Sequence, residues 1–494
     1  MGATKSLTEL GLSALGGREA QITGLAVDSR EVKDGYLFAA LPGTRVHGGE
    51  FVQYALRMGA AAILTDAEGA EIARAELDAH DVALILAEDP RQVLSYTAAL
   101  WFGAQPANMV AVTGTNGKTS VSSFCRQIWT LLDVPAVNLG TTGVEGAWET
   151  PLAHTTPEPI TLHRALAGAA QAGVTHAAME ASSHGLEQRR LDGVTLKAAG
   201  FTNFTQDHLD YHETFEAYFA AKAGLFTRVL PDDGVAVLNM DDEEVARLAP
   251  IVTSRGQALM RIGHDAEDDL QVLAQRYDAT GQDLRFAFRG VTHQTRLNLI
   301  GGFQAENVLM AAALVIAAGA DPAQVFDTLP DLRTVRGRMQ LAATRANGAA
   351  AFVDYAHTPD AVETAIRALR PHVMGRLIAI VGAGGDRDRA KRPLMGAAAR
   401  DHADLVIVTD DNPRSEDPAS IRAAVLDGAG PDAIEVGDRA EAILRGIDAL
   451  GPGDALLICG KGHETGQTIG DTVYPFDDAE QASVAVSALD GAMP

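Results

Sequence analysis

Short apolar runs, separated by polar stretches of helical period, recur along the whole chain. Near the N-terminus GYLFAAL, AAAILTD and DVALILAED have this form, which predicts a small α/β unit closed by Asp89-Pro90. The amphipathic stretch RQVLSYTAALWFG then leads into the apolar run MVAVTG. Strand-like HAAMEAS, AAGFTNF and GVAVLNM follow, each ending in polar residues with helical segments between them. Such alternation implies a mostly parallel sheet. Between Ala274 and Ile300 the segment DLRFAFRGVTHQTRLNLI alternates apolar and polar residues about a glycine, which predicts an antiparallel excursion. A helix is expected from Gln304 to Ala318, and the polar connector LPDLRTVRGRMQ puts a domain boundary near Arg333. Beyond it AAAFVDYAHTPD, RLIAIVGAGGDRD, ADLVIVTDDNPR and DALLICGKGHE are apolar strands that each stop at a charged or glycine-rich loop. Ligands of open parallel sheets bind at the carboxyl ends of strands, so these four loops are expected to converge on one site.

Length agrees with this division, because 494 residues exceed what one hydrophobic core organises and suggest roughly three domains. The boundaries read as 1–89, 90–332 and 333–494. Acidic residues outnumber basic ones 65 to 40, a formal charge of −25, which argues against nucleic acid as a partner. The two cysteines, Cys125 and Cys459, lie in apolar segments without C-x-x-C spacing, so neither a disulfide framework nor a zinc ribbon is expected and a reducing cytoplasm fits. The apolar run from Val308 to Ala320 is well short of the roughly 20 residues that cross a bilayer, so no membrane insertion is expected.

The segment VAVTGTNGKTS carries the clearest chemistry. It resembles a phosphate-binding loop, with an apolar strand before it and a helix-compatible stretch after it, but Val112 stands where the usual longer loop has its first glycine. Gly114, Thr115, Asn116 and Gly117 would let backbone N–H groups approach phosphate, and the helix that opens at Lys118, Thr119 and Ser120 adds favourable partial charge. Lys118 would neutralise terminal phosphates and Thr119 would ligate magnesium. Glu180, at the end of HAAMEAS, is a candidate further ligand, or else a plain carboxylate; His208 competes for such a role with Asp207 and Asp210.

A different chemistry marks the C-terminal loops. Arg387, Arg389, Lys391 and Arg392 lie in one, Asp411, Asn412 and Arg414 in a second, and Lys461, His463 and Glu464 in a third. Mixed charge of this kind suits a zwitterion, since a guanidinium grips carboxylate while Asp or Glu receives ammonium.

With GTNGKTS, TTPEP, MEASSHGLEQRR, TNFTQDHLDYHETFEAYFAAKAGLF, DYAHTPD, GGDRDRAKRP, DNPR and GKGHE in this order, the chain resembles the Mur ligases, and among them the branch that adds meso-diaminopimelate. The resemblance implies an α/β protein of three domains: one for UDP-MurNAc, a central P-loop-type ATPase, and a Rossmann-like C-terminal domain for the incoming amino acid. It implies ligation of meso-diaminopimelate to the D-glutamate γ-carboxyl of UDP-MurNAc-L-Ala-D-Glu in peptidoglycan precursor synthesis, through an acyl phosphate, with ATP as co-substrate and Mg2+ as cofactor. A cytoplasmic monomer is expected.

Several residues acquire roles only through this resemblance. Val27, Ser29, His47 and Gly48 would belong to the uridine pocket, and Thr155, Thr156, Ser182, Gln188 and Arg190 would contact the muramoyl dipeptide. Asn307 and Arg338 would meet the nucleotide. Arg387, Asp411, Asn412, Pro413, Arg414, Gly460 and Glu464 would hold diaminopimelate, with Arg414 pairing the distal carboxylate that lysine lacks. Lys222 would be carbamylated by CO2 and, with Thr119, Glu180 and His208, would help hold the metal; Lys118, Lys222 and His208 would form the catalytic set. Carbamylation requires a neutral amine, so burial of Lys222 is expected to lower its pKa. Two rivals are a P-loop ATPase switch, which needs no amino-acid pocket, and folylpolyglutamate synthetase, which the extra N-terminal unit and DNPR disfavour. A ligase that uses L-lysine or another diamino acid is the nearer alternative.

Overall fold

The computed structural model describes residues 4–43, 46–205, 211–212 and 214–491. Three larger sheets follow one another along the chain, all α/β in character. The first has four parallel strands, Gly24–Ala26, Tyr36–Ala39, Ala62–Thr65 and Ala83–Leu86, in sequence order. The helix Pro90–Phe102 leaves this sheet, with Asp89 capping Gln92 N and Pro90 in its first turn.

The second sheet has ten strands among the described residues. Asn108–Thr113 runs at its centre, parallel to His176–Glu180 on one side and Ala198–Phe201 on the other. Ala136–Gly140, Val235–Asn239 and Ala258–Gly263 extend the parallel part. Alternate residues of the central strand enter opposite cores: Met109 and Ala111 pack with one, Val110 and Val112 with the other. A strand buried on both faces in this way reads as a continuous apolar run, which is how it stands in the sequence. The expected antiparallel excursion is present as Gly281–Phe288 and Val291–Leu297, turned at Arg289 and Gly290, whose φ values of 48° and 81° suit a primed hairpin turn. It starts earlier than the alternation suggested, because Leu270–Asp278 also pairs antiparallel with the first of these strands. The apolar helix Phe303–Ala317 packs on the helix Lys118–Leu131, where Cys125 Sγ lies 3.7 Å from Ala311 O.

The third sheet has the order Gln340–Thr344, Ala350–Asp354, Ala455–Cys459, Leu377–Val381, Leu405–Val408, Ile434–Glu435. Only the first of these strands is antiparallel to its neighbour. A short hairpin, Gly466–Ile469 with Thr472–Pro475, stands apart from the sheet beside its carboxyl edge. Under this sheet Arg439 and Asp478 form a fully buried pair at 2.7 Å, which raises the guanidinium's pKa further above its ordinary value despite burial. No described helix is long and apolar enough to cross a membrane.

Candidate active site

The carboxyl ends of the central strands open into a cleft of about 470 Å³ that the third sheet closes from the other side. Its floor is the loop after Asn108–Thr113. Gly114 and Gly117 have φ of 146° and 89°, and a Cβ on either would collide, with Thr202 Oγ1 at 1.9 Å and Asn307 Oδ1 at 2.5 Å. Both positions therefore need glycine, for backbone and for space. Neighbouring strand ends hold the loop: Thr115 N donates to Asn203 O at 2.8 Å, Asn116 N to Asn203 Oδ1 at 2.9 Å, and Thr202 Oγ1 to Asn116 O at 2.5 Å. Lys118 Nζ donates to the carbonyls of Gly114 and Thr115, both at 2.8 Å, so its charge lies over the loop, and Ser120 lines the same cleft.

Glu180, which sequence alone left open between ligand and plain carboxylate, is only 1% exposed at the end of its strand. One oxygen accepts from Thr141 N at 2.8 Å, and the other from Thr119 Oγ1 at 3.0 Å and Thr141 Oγ1 at 3.2 Å. Thr141 is a site residue that motif reading missed; it follows the strand Ala136–Gly140 and reaches Thr155 Oγ1 at 2.9 Å. The paired oxygens of Thr119 and Glu180 are the donor type a small hard cation takes, with phosphate and water completing its shell. Among the described residues no group of three or more His, Cys, Asp or Glu could hold a metal by itself. His208 lies outside the described residues, as do Asp207 and Asp210.

Lys222, on the helix Phe215–Gly224, is 1% exposed. Its Nζ donates to Gly114 O at 2.8 Å and lies 4.6 Å from the centre of the Tyr218 ring, so it enters the cleft beside the loop rather than solvent. Thr155 and Ser182 line the cleft, and Thr156 is buried behind them, joining Glu180 O at 2.9 Å to Ser182 N at 3.1 Å. Arg190 reaches the same segment, with Nη1 2.5 Å from Thr156 O and Nη2 2.7 Å from Gln188 Oε1. Burial, with Arg91 nearby, lowers the Arg190 guanidinium from its usual pKa.

Arg338 enters from the connector between the second and third sheets. Its guanidinium stacks 4.8 Å from the Tyr355 ring and donates to Thr119 Oγ1 at 3.2 Å, while Asn307 takes Gln304 as its partner at 3.2 Å. A second tie across the cleft joins residues of three quoted motifs whose pairing the sequence did not show. Asp360, in the first turn of the helix Pro359–Leu369, accepts from Thr205 Oγ1 at 3.0 Å and Asn116 Nδ2 at 3.3 Å.

Behind Tyr355, the loops at the carboxyl edge of the third sheet do meet. Asp411 and Asn412 are buried, and Asn412 Nδ2 donates to Glu464 Oε2 at 2.9 Å. Gly460, φ 116°, leaves no room for a Cβ, which would lie 2.3 Å from Asp411 Oδ2. Arg414 follows Pro413 with φ 52° and donates to Gly385 O at 2.8 Å; a Cβ built on Gly384 would sit 2.8 Å from its Nη1 and 3.9 Å from Arg387 Cγ. The two guanidinium-bearing side chains thus flank one glycine. Arg389 and Arg392 instead pair with Glu416 at 3.0 and 2.8 Å, which holds that carboxyl at about 2, and Lys391 donates to His357 O at 2.9 Å. The basic cluster of the first loop is therefore divided between structure and pocket.

The N-terminal candidates stand apart from all this. Val27 and Ser29 flank Asp28, which caps the short helix Ser29–Glu31. His47 accepts from Gly49 N at 2.9 Å and its Nε2 is 3.1 Å from Asp66, while Gly48 approaches the backbone of Ala40 and Leu41 too closely for a Cβ. Among the described residues, none of the four lines the cleft.

Three family models match successive parts of the chain: Mur ligase family, catalytic domain over 21–101, Mur ligase middle domain over 112–315, and Mur ligase, glutamate ligase domain over 337–462. A UDP-N-acetylmuramoyl-L-alanyl-D-glutamate--2,6-diaminopimelate ligase of Caulobacter vibrioides is 49% identical over 95% of this chain and 96% of its own. The chain belongs to the Mur ligase family. A relative of the same description from Bradyrhizobium diazoefficiens is 46% identical over 95% of both chains. A solved structure of such a ligase is 34% identical, with a TM-score of 0.71 over 99% of both chains. Mycobacterium tuberculosis folylpolyglutamate synthase complexed with ADP, 20% identical with a TM-score of 0.63 over 82% of this chain and 96% of its own, shares the fold of this Mur ligase.

Proposed function

We propose that this Mur ligase adds meso-diaminopimelate to the D-glutamate γ-carboxyl of UDP-MurNAc-L-Ala-D-Glu in peptidoglycan precursor synthesis, cleaving ATP to ADP and phosphate. The activity follows from full-length relatives at 43–49% identity. The observation that carries the assignment of residues is that Tyr355 lines the cleft together with the phosphate-binding loop while Glu464, Asp411 and Arg387 of the mixed-charge loops lie close enough to act on its phenol. Residues 1–89 would bind the UDP-MurNAc end through Val27, Ser29, His47 and Gly48, residues 90–332 would bind ATP, and residues 333–494 the amino acid. The reaction is that of a soluble cytoplasmic enzyme acting as a monomer.

A carboxylate is a poor electrophile, so it is first activated. Backbone N–H groups of residues 117–119, at the N-terminus of the helix Lys118–Leu131, receive the phosphates, and Lys118 swings its charge from the loop carbonyls onto them. Asn307 and Arg338 orient the nucleotide. Thr155 and Ser182, braced by Thr156, Gln188 and Arg190, present the γ-carboxylate to the γ-phosphorus, and the acyl phosphate forms as ADP leaves. The amine of diaminopimelate then attacks the acyl carbon, and the tetrahedral intermediate expels phosphate. Arg414 and Arg387 hold the distal carboxylate, while Glu464, oriented by Asn412, receives ammonium with Asp411. Thr119 and Glu180, with Lys222 as its carbamate, would hold Mg2+, which when bound would offset the negative charge of the phosphoryl oxygens. Arg338 and Glu180 meet at Thr119 Oγ1, which ties nucleotide position to the metal site.

Hydroxylamine trapping tests this sequence. With ATP, Mg2+ and the dipeptide substrate but no amino acid, the account expects a dipeptide γ-hydroxamate that disappears in Lys118→Ala. A hydroxamate formed without ATP, or none in the active enzyme, contradicts it.

A further inference from the structure

Lys461 is completely buried, one of the largest fully buried side chains in the molecule, yet it carries a charge at the edge of the amino-acid pocket. It follows the strand Ala455–Cys459, between two glycines of positive φ, Gly460 at 116° and Gly462 at 56°. Its Nζ donates to Asn412 Oδ1 at 3.0 Å and lies 3.4 Å from Glu464 Oε2. Burying an ammonium is costly unless hydrogen bonds and an opposite charge compensate it, and here the compensation comes from two residues assigned to the substrate.

The bond pattern determines more than charge. Asn412 Oδ1 accepts from Lys461 Nζ and also from Thr468 N at 2.9 Å. Two donors on one atom fix which end of the amide is oxygen, so Nδ2 must face Glu464, where it donates at 2.9 Å. Glu464 Oε2 then receives both Asn412 and Lys461, which directs an incoming ammonium to Oε1. Thr468 belongs to the hairpin Gly466–Ile469 with Thr472–Pro475, which also grips the neighbouring loop: Arg414 N donates to Thr468 O at 3.0 Å and Gly470 N to Arg414 O at 2.7 Å.

Resting on the reading of this pocket as the amino-acid site, we propose that Lys461 is a positioning residue for the incoming amino acid, setting the Asn412 amide so that the Glu464 carboxylate is held in the orientation that receives its ammonium. Lys461 does not touch substrate in this account; it acts through the other two.

The test is steady-state kinetics of Lys461→Met, which keeps the length of the stem and removes Nζ. The expected result is a KM for meso-diaminopimelate raised by about tenfold or more, the loss of a hydrogen bond to a charged group, with KM values for ATP and the dipeptide substrate within about twofold of the parent. Residues coupled through one network lose less together than separately, so Lys461→Met with Asn412→Ala should cost no more than the worse single change. Asn412→Asp covers the case in which Lys461→Met does not fold: it keeps shape and the acceptor for Lys461 but replaces the donor facing Glu464 with another acceptor, and the amino-acid KM should again rise about tenfold. An unchanged amino-acid KM in either variant, equal rises for all three substrates, or additive costs would overturn the proposal. Turnover of the parent with meso-diaminopimelate in the same assay separates the two layers, since its absence sinks the pocket reading and its presence leaves the inference alone at issue.

Discussion

Asp360→Ala removes a side chain of the helix Pro359–Leu369 that reaches across to the phosphate-binding loop. Its two acceptor contacts are 3.0 Å to Thr205 Oγ1 and 3.3 Å to Asn116 Nδ2. A hydrogen bond to a charged group contributes about 1.5–3 kcal/mol net. The second contact is long and all three residues are half-buried, so the sum is taken near the lower bound, about 2 kcal/mol. At 1.4 kcal/mol per factor of ten, that is about 30-fold in the equilibrium between an open cleft and one closed over ATP. If the closed form is the competent one, kcat/KM for ATP should fall by about that factor, because apparent affinity scales with the competent fraction. Asp360→Asn keeps a neutral acceptor of roughly half the strength, and should lose about fivefold. Phosphate release over an ATP titration, at saturating dipeptide and amino acid, measures both. The pair Asp360→Ala and Thr205→Val should be less than additive. A kcat/KM within twofold of the parent for Asp360→Ala, or full additivity, would refute the latch.

Arg414→Ala should raise the KM for meso-diaminopimelate by about 100-fold, the loss of a charge-assisted carboxylate contact, with ATP affinity measured by calorimetry unchanged. His463 is held at about 4 by burial first, then by Arg338, Arg336 and His357. Its folded pKa lies below the unfolded value of about 6.5, so its share of stability is complete above that pH and is lost as pH falls toward about 4; the melting temperature of His463→Asn should therefore drop less across this window than that of the parent. Asp478→Asn strands the buried Arg439 and should cost about 3–5 kcal/mol, read as a lower denaturation midpoint of the C-terminal part. With 13C-labelled bicarbonate, a carbamate carbonyl signal should appear by NMR in the parent and be absent in Lys222→Ala; identical spectra would remove the carbamate from the account.

What the sequence made legible has a physical basis. Strands buried on both faces must be apolar throughout, so the central strand and the four C-terminal ones stand out as runs, and the loops at their carboxyl ends inherit the ligand chemistry. The glycines of the loop were legible because both backbone and space exclude other residues there. Contacts between distant segments were not. Asn116 and Asp360 are 244 residues apart, and nothing in either segment names the other. Thr141 is an ordinary threonine after a strand until Glu180 is seen to be buried beside it. The hairpin that grips Asn412 and Arg414 went unread because its second strand exposes Val473 and Tyr474 and it is too short for a pattern; the Gly470-Asp471 pair was the available turn signal. Splitting of the arginine cluster between Glu416 and the pocket likewise depends on tertiary placement.

The most direct measurement of the central claim is product formation by the purified protein with ATP, Mg2+ and UDP-MurNAc-L-Ala-D-Glu, comparing meso-diaminopimelate, L-lysine and no amino acid, with product mass and phosphate followed together. The account predicts a tripeptide carrying diaminopimelate, with one phosphate released for each molecule formed, and no comparable product with L-lysine. Tripeptide from L-lysine alone would contradict the role given to Arg414, and phosphate release that ignores every substrate would contradict the ligase itself.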